Sequence, residues 1–241
     1  MGFEAEFVRP ASYAPLVAAL AADPRVDVVV GSLHHVLGVP IDFDRGMYEA
    51  ALAKAAAAAG AEGDAADDED GSAEAHLWLA YYAAQHAMLV ALRPKVVGHF
   101  DLIRLLSADP ARDPRAWPRV WAAVQRNLAL VRDAGGWLEC NSSALRKGLA
   151  EPYPARAVAA EWLRLGGCFT LSDDAHAADQ VGTHYAPALD YLEGLGVREL
   201  WTLEHVDDGG KAEEQGRKAE LREVAMPLSE VRASLKAKGV E

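Results

Sequence analysis

The sequence has few cysteines, fewer basic than acidic residues, and no long hydrophobic run. Cys140 and Cys168 are the two cysteines in 241 residues, which gives no disulfide framework and is typical of a reducing, cytoplasmic setting. With 24 Lys and Arg against 36 Asp and Glu, the net charge is -12. That balance argues against nucleic acid or an anionic membrane as a partner. No segment resembles a signal peptide or a membrane span.

The apolar residues that are present, 51% of the chain, suffice for one domain with a large core. Six short apolar or alternating runs predict buried parallel strands: 2–7, 26–32, 95–99, 136–141, 168–172 and 199–203. Helical patterns lie between or beside them, at 11–22, 48–59, 74–92, 116–134, 155–165 and 180–195. This alternation predicts an α/β fold with a parallel sheet or barrel, in which functional residues gather at the carboxyl ends of the strands.

Two segments depart from this alternation. Residues 60–72 are acidic and rich in glycine, and predict a flexible insertion within a barrel domain at 1–207. Residues 208–241 predict a charged tail that contains one peripheral helix at about 228–238.

Side chains suited to metal binding follow several of the predicted strands. Asp174 and His176 lie just beyond one apolar strand, and His34 and His99 each end another. Imidazole and carboxylate are common ligands of divalent ions. Glu4 adds a carboxylate within the first strand, where a buried acid needs a partner or a cation. Together the five residues predict a divalent-metal hydrolase centre.

The pattern leaves some choices open. Glu6 lies on the same strand face as Glu4 and could serve instead, although we favour Glu4. Asp173 could face the site in place of Asp174. Asn141 ends another predicted strand, where it could orient a ligand or substrate, or merely cap a turn.

Taken in order, the motifs resemble a known family. They are GFEAEF, VGSLHHV with PIDFD, VVGHFDLIR, LECNSSALRK with PYP, and FTLSDDAH. The set closely resembles the histidinol-phosphatases of the PHP phosphoesterase superfamily, from residue 2 to about residue 205.

The resemblance implies a distorted (β/α)7 PHP barrel that holds up to three divalent ions, of zinc, manganese or iron. It implies hydrolysis of L-histidinol phosphate to L-histidinol and phosphate, in histidine biosynthesis. Glu4 would be a bridging carboxylate, and His34, His99, Asp174 and His176 would be further ligands. Arg146 would bind the substrate phosphate as a charge-assisted clamp.

One feature of that family has no counterpart in this chain. The family begins with a strand that bears His-x-His, and no His-x-His occurs in the sequence. We therefore expect a barrel without its first strand and an incomplete set of ligands, most simply because the chain is truncated. The alternatives are that another chain supplies the segment, that the chain is a non-catalytic metal-binding remnant, or that it hydrolyses another small phosphomonoester.

Overall fold

The fold is described from a computed structural model, which covers residues 1–61, 71–206 and 218–239. Most of the predicted acidic insertion at 60–72 lies outside the described residues, as does the start of the predicted tail. In chain order, the strands are β1 (Gly2–Glu6), β2 (Val28–Ser32), β3 (His35–Val36), β4 (Val39–Pro40), β5 (Val96–Val97), β6 (Trp137–Asn141), β7 (Phe169–Ser172), β8 (Glu199–His205) and β9 (Leu221–Pro227). The helices are α1 (Pro10–Ala21), α2 (Arg45–Ala61), α3 (Ala73–Leu92), α4 (Pro118–Asp133), α5 (Ser143–Arg146), α6 (Arg156–Arg164), α7 (Tyr185–Gly194) and α8 (Leu228–Ala237).

A five-stranded parallel sheet forms the centre of the fold, in the order β1-β2-β5-β6-β7. Neighbours in this sheet follow one another along the chain, with helices in the connections, as the predicted β/α alternation requires. Glu4 is in register with Val30, and Asn141 with Ser172. The parallel arrangement places the carboxyl ends of all five strands at one edge.

The sixth predicted strand is present, but its pairing differs from the prediction. β8 pairs antiparallel with β9 in a separate two-stranded sheet, from Glu199 opposite Pro227 to His205 opposite Leu221. β9 lies in the segment predicted as a charged tail, where a strand was missed. The predicted tail helix is present as α8, directly after β9.

The core lies between the sheet and the helices that cover it. α3 contributes Trp78, Tyr81 and Tyr82, and α6 contributes Trp162, all of them almost fully buried. These side chains and strand residues such as Val97 belong to one buried apolar cluster, as expected for a parallel sheet that is covered by helices. Among the described helices, none combines the length and the apolar character needed to cross a membrane.

Candidate metal centre

Three of the predicted ligands meet at the carboxyl edge of the sheet. Glu4 Oε1 lies 3.3 Å from His99 Nε2 and 3.7 Å from His34 Nε2. The two imidazole rings stand edge to face, with centroids 4.7 Å apart. The possible ligand atoms of Glu4, His34 and His99 all lie within 4.8 Å of one another. These three residues are the one such group found among the described residues.

The backbone after β5 delivers His99 to this position. Gly98 packs so closely that an added Cβ would lie 2.4 Å from Ser32 Oγ, so a larger residue there would require the Ser32 side chain to move. His99 then adopts φ +22°, which lies outside the backbone regions that non-glycine residues prefer. Because such a conformation costs free energy, the surrounding contacts must hold it in place.

The donor set suits a divalent cation. For ligand bonds of about 2.1 Å, a tetrahedral site separates its ligand atoms by about 3.4 Å, and the two Glu4 distances bracket that value. His99 is only 2% exposed, and apart from the approach of Glu4 to Nε2, neither of its ring nitrogens has a hydrogen-bond partner among the described residues. Buried polar atoms normally have partners, so these nitrogens are consistent with a ligand role.

Glu6 contacts the opposite side of the His34 ring. Its carboxylate pairs with His34 Nδ1 and accepts a hydrogen bond of 3.3 Å from the His34 backbone N–H. Because Nδ1 is engaged by Glu6, Nε2 is the atom that faces Glu4. A carboxylate behind a ligating imidazole fixes the orientation of the ring, which assigns different roles to the two glutamates of β1.

The charges of the three side chains stabilise one another. Burial opposes ionisation of Glu4, but His99, Ser32 and His34 outweigh it and hold the pKa of Glu4 at about 2. Burial likewise disfavours charged His34, yet Glu6, aided by Asp42 and Glu4, raises its pKa. The pKa of Glu6 is lowered because its interactions with His34 exceed the effect of burial. Both carboxylates are therefore held in their ionised form, which is the form that binds a divalent cation.

Replacing Glu6 with glutamine tests the proposed orienting role. We expect Glu6→Gln to weaken zinc or manganese binding by about 10- to 100-fold, because the His34 ring loses its anionic partner. Isothermal titration calorimetry measures the affinity directly. Glu49→Gln is the matched control, since Glu49 is 67% exposed on α2. Equal affinities for the two variants would refute the role.

Behind His99 lies a buried carboxylate that belongs to β6. Glu139 accepts a hydrogen bond of 2.6 Å from the His99 backbone N–H and one of 2.7 Å from Asn141 Nδ2. Asn141 Oδ1 in turn accepts from the Ser143 N–H at 2.9 Å. Burial raises the pKa of Glu139 even though His99 and Asn141 favour its ionised form. Asn141 thus caps a turn and links Glu139 to it, which corresponds to the capping alternative left open by the sequence.

The remaining two predicted ligands lie apart from the three-residue group. Asp174 follows β7 and accepts a hydrogen bond of 3.4 Å from Ser143 Oγ. His176 is 76% exposed, and its Nδ1 lies 2.9 Å from the Asp174 carbonyl oxygen. The structure therefore brings together Glu4, His34 and His99 and leaves Asp174 and His176 outside that group.

Arg146, the predicted phosphate clamp, reaches the same loop. Its Nη1 donates to the Asp173 carbonyl at 2.8 Å, and its Nη2 donates to the Asp174 carbonyl at 3.0 Å. The next residue, Lys147, places Nζ 3.9 Å from Asp174 Oδ2. The Asp173 carboxylate accepts hydrogen bonds from the Gly182 N–H at 2.5 Å and from the Ala175 N–H at 3.1 Å.

Comparison with known proteins identifies relatives of one kind. The chain is 34% identical over 210 residues to the probable histidinol-phosphatase of Schizosaccharomyces pombe, covering 87% of this chain and 63% of that protein. It is 35% identical over 184 residues to the histidinol-phosphatase of Saccharomyces cerevisiae, covering 68% of this chain and 50% of that protein. Histidinol-phosphatases are thus its sequence relatives. The chain spans between half and 63% of their length, and no protein-family model matches it.

The fold has a counterpart among solved structures. It matches the crystal structure of a candidate histidinol phosphatase, HisK, from Listeria monocytogenes with a TM-score of 0.59. The match covers 77% of this chain and 66% of that one at 21% identity. At this identity the likeness establishes the fold, and residue roles must come from the site itself.

Sequence reasoning missed one residue that shapes the site. Glu139 stands two residues before Asn141 in an otherwise apolar strand, and a buried acid at that spacing was an available signal.

Proposed function

We propose that this chain provides a divalent-metal site for hydrolysis of a phosphomonoester, with L-histidinol phosphate as substrate. The observation that carries the proposal is the grouping of Glu4, His34 and His99 at the carboxyl edge of a parallel sheet. The choice of L-histidinol phosphate as the substrate is inferred from the two histidinol-phosphatase relatives. The likeness to HisK supports the finer proposal that the sheet is part of a distorted (β/α)7 barrel of the PHP type.

In this proposal, Glu4, His34 and His99 hold a zinc, manganese or iron ion, and Asp174 and His176 contribute to further ion binding beside it. The chemistry that such ions supply is polarisation of phosphoryl oxygens and a lowered pKa for a bound water. Glu6 orients His34, and Glu139 fixes the backbone of His99. These groups keep the ligand atoms in place, so that little reorganisation is needed during the reaction.

A phosphate-release assay tests the proposal on the chain itself. Purified protein with manganese or zinc is expected to release phosphate from L-histidinol phosphate, to lose this activity on chelation, and to regain it when metal returns. Glu4→Gln should reduce the rate at least about 100-fold, because it removes the charged ligand of the metal ion that lies beside both histidines. Glu49→Gln should match the wild type. Metal-loaded protein without phosphate release would exclude the proposed activity.

A second candidate function is metal binding without turnover. It is favoured by the separation of Asp174 and His176 from the three-residue group, which leaves three protein ligands for one ion. Metal analysis distinguishes the two functions. One equivalent or less, together with no release from histidinol phosphate or other small phosphomonoesters, would support the non-catalytic candidate.

A further inference from the structure

A cavity of about 420 Å³ lies between the segment that follows β5 and the segment that leads into α6. Of the described residues that line it, three are arginines and two are acids, and the rest are alanine or proline. None of them is a predicted metal ligand. The charged lining residues are Arg112, Asp113, Arg115, Glu151 and Arg156.

Two of the three arginines are neutralised by acids of the same cavity. Arg115 forms a forked ion pair with Asp113, from Nε to Oδ1 at 2.9 Å and from Nη2 to Oδ2 at 2.6 Å. Arg156 Nε lies 3.3 Å from Glu151 Oε1, and the Arg156 backbone N–H donates to Glu151 Oε2 at 2.8 Å. The described lining therefore carries one surplus positive charge, in a chain whose net charge is -12.

Arg112 is the arginine that supplies this surplus charge. Its side chain makes no hydrogen bond or ion pair in the part of the chain that the structure describes, and its Nε is both buried and without an acceptor. Buried donors in folded proteins normally have an acceptor. The Arg112 Nε–H is therefore a donor that an acceptor in the cavity would complete.

Trp117 holds the Arg112 guanidinium in place. Arg112 Cζ lies over the Trp117 ring, 4.9 Å from its centroid. Trp117 is itself buried and packs edge to face against Trp78, with centroids 5.3 Å apart. A guanidinium over an aromatic face keeps its N–H donors in its own plane, where they remain free to bind an acceptor. The cavity thus contains a cation that is positioned but not neutralised.

The lining also indicates what kind of ligand fits. One surplus positive charge suits a monoanion better than a dianion, because a second negative charge would meet Asp113 and Glu151 without a cation of its own. The two oxygens of a carboxylate match the guanidinium fork. The alanine and proline side chains suit an apolar body, and the volume lies within the range of small-molecule sites, about 300–1,000 Å³.

We propose that this cavity binds a small organic monocarboxylate with an apolar body, and that Arg112 binds the carboxylate group. The cavity is connected to the segment that carries His99, since Ala155 lines it and donates its backbone N–H to Asp101 Oδ2 at 2.8 Å. Binding here requires neither metal nor turnover. The proposal is therefore independent of the proposed phosphomonoesterase function.

Titration of benzoate into the zinc-loaded full chain tests the proposal. Calorimetry gives the affinity, and NMR of the arginine Nε–H groups gives the location. The signal that Arg112→Gln removes is expected to shift when benzoate binds, whereas benzyl alcohol, the neutral analogue, should leave it unchanged.

Arg112→Gln is expected to weaken benzoate binding about tenfold or more at an unchanged Tm, the effect of losing one charge-assisted contact. Arg112→Lys should not restore the affinity, because an ammonium group lacks the planar fork. Arg25→Gln is the matched control and should bind benzoate as the wild type does, since Arg25 is exposed and pairs with Asp23.

Ala160→Glu tests the cavity without changing Arg112. Ala160 is an exposed residue of α6 that lines the cavity, so a glutamate at this position should be tolerated by the fold. It is expected to weaken benzoate binding roughly threefold or more, because it places a like charge beside the ligand. Ala18→Glu, at an exposed position of α1, is the control and should leave the affinity unchanged.

Three results would overturn the assignment. They are an Arg112 signal that does not move with benzoate, an unchanged benzoate affinity in Arg112→Gln, and inorganic phosphate that shifts the same signal and binds as tightly as benzoate. Loss of the benzoate-induced shift on addition of histidinol phosphate would also overturn it, since benzoate would then occupy the substrate site. A chain that binds benzoate through Arg112 but releases no phosphate from esters would support this site and contradict hydrolysis alone.

Discussion

Replacing His99 with alanine is expected to weaken zinc binding by about 70-fold to about 900-fold. Structural zinc sites with four ligands bind with about 10–16 kcal/mol, so each ligand accounts for about 2.5–4 kcal/mol. His99 is the most buried of the three clustered side chains, and its ring nitrogens make no competing hydrogen bond among the described residues. The variant therefore loses a ligand that the fold holds in place.

Competition with a chromophoric chelator measures this loss. His86→Ala is the matched control, because His86 lies on α3 and contributes no atom to the cluster. If His99→Ala does not fold, His34→Ala provides the same test at a side chain that is 27% exposed. Zinc affinities within threefold of the wild type in both variants would exclude the proposed centre.

Replacing Arg104 with methionine is expected to destabilise the protein by about 3–5 kcal/mol, the cost of leaving a buried charge without its partner. Arg104 and Asp101 are 4% and 2% exposed, with Arg104 Nε 3.1 Å from Asp101 Oδ2. Arg104 Nη2 also donates to the carbonyls of Glu151 and Pro152, at 2.9 and 2.7 Å. The variant therefore leaves one buried carboxylate and two carbonyl groups without this donor.

Urea denaturation gives the change in free energy of unfolding. Arg115→Met is the matched control, since Arg115 is 61% exposed and pairs with Asp113, and such surface pairs contribute about 1 kcal/mol or less. Adding Asp101→Asn to Arg104→Met should recover part of the loss, because it removes the unpaired charge. A loss below 1 kcal/mol in Arg104→Met would contradict the expected role of the pair.

The parallel sheet was predictable because its strands are short apolar runs that end in polar residues. β8 was not placed correctly, since its apolar character fits a parallel or an antiparallel neighbour equally well. Its partner β9, with the sequence LREVAMP, lies in a charged segment and carries two charged residues. Local composition therefore concealed a pairing that depends on contacts far apart in the chain.

In the candidate site, too, the sequence predicts some features and leaves others undetermined. Residue type and strand-end position indicated His34 and His99, and the strand ends then brought them together. The period of two in a strand placed Glu4 and Glu6 on one face and could not separate their roles. Those roles depend on which His34 nitrogen each carboxylate approaches, a distance that only the folded chain defines.

The brevity of β5 has a consequence for any attempt to transplant this site. The ladder of β5 ends at Val97, so the backbone N–H of His99 bonds to the Glu139 carboxylate instead of a neighbouring strand. Asn141 also donates to that carboxylate. Grafting Glu4, His34 and His99 alone onto another sheet would lose the carboxylate that shapes the His99 backbone. A working graft would have to carry Glu139 and Asn141 as well, together with Glu6, which orients His34. The smallest portable unit is therefore six residues.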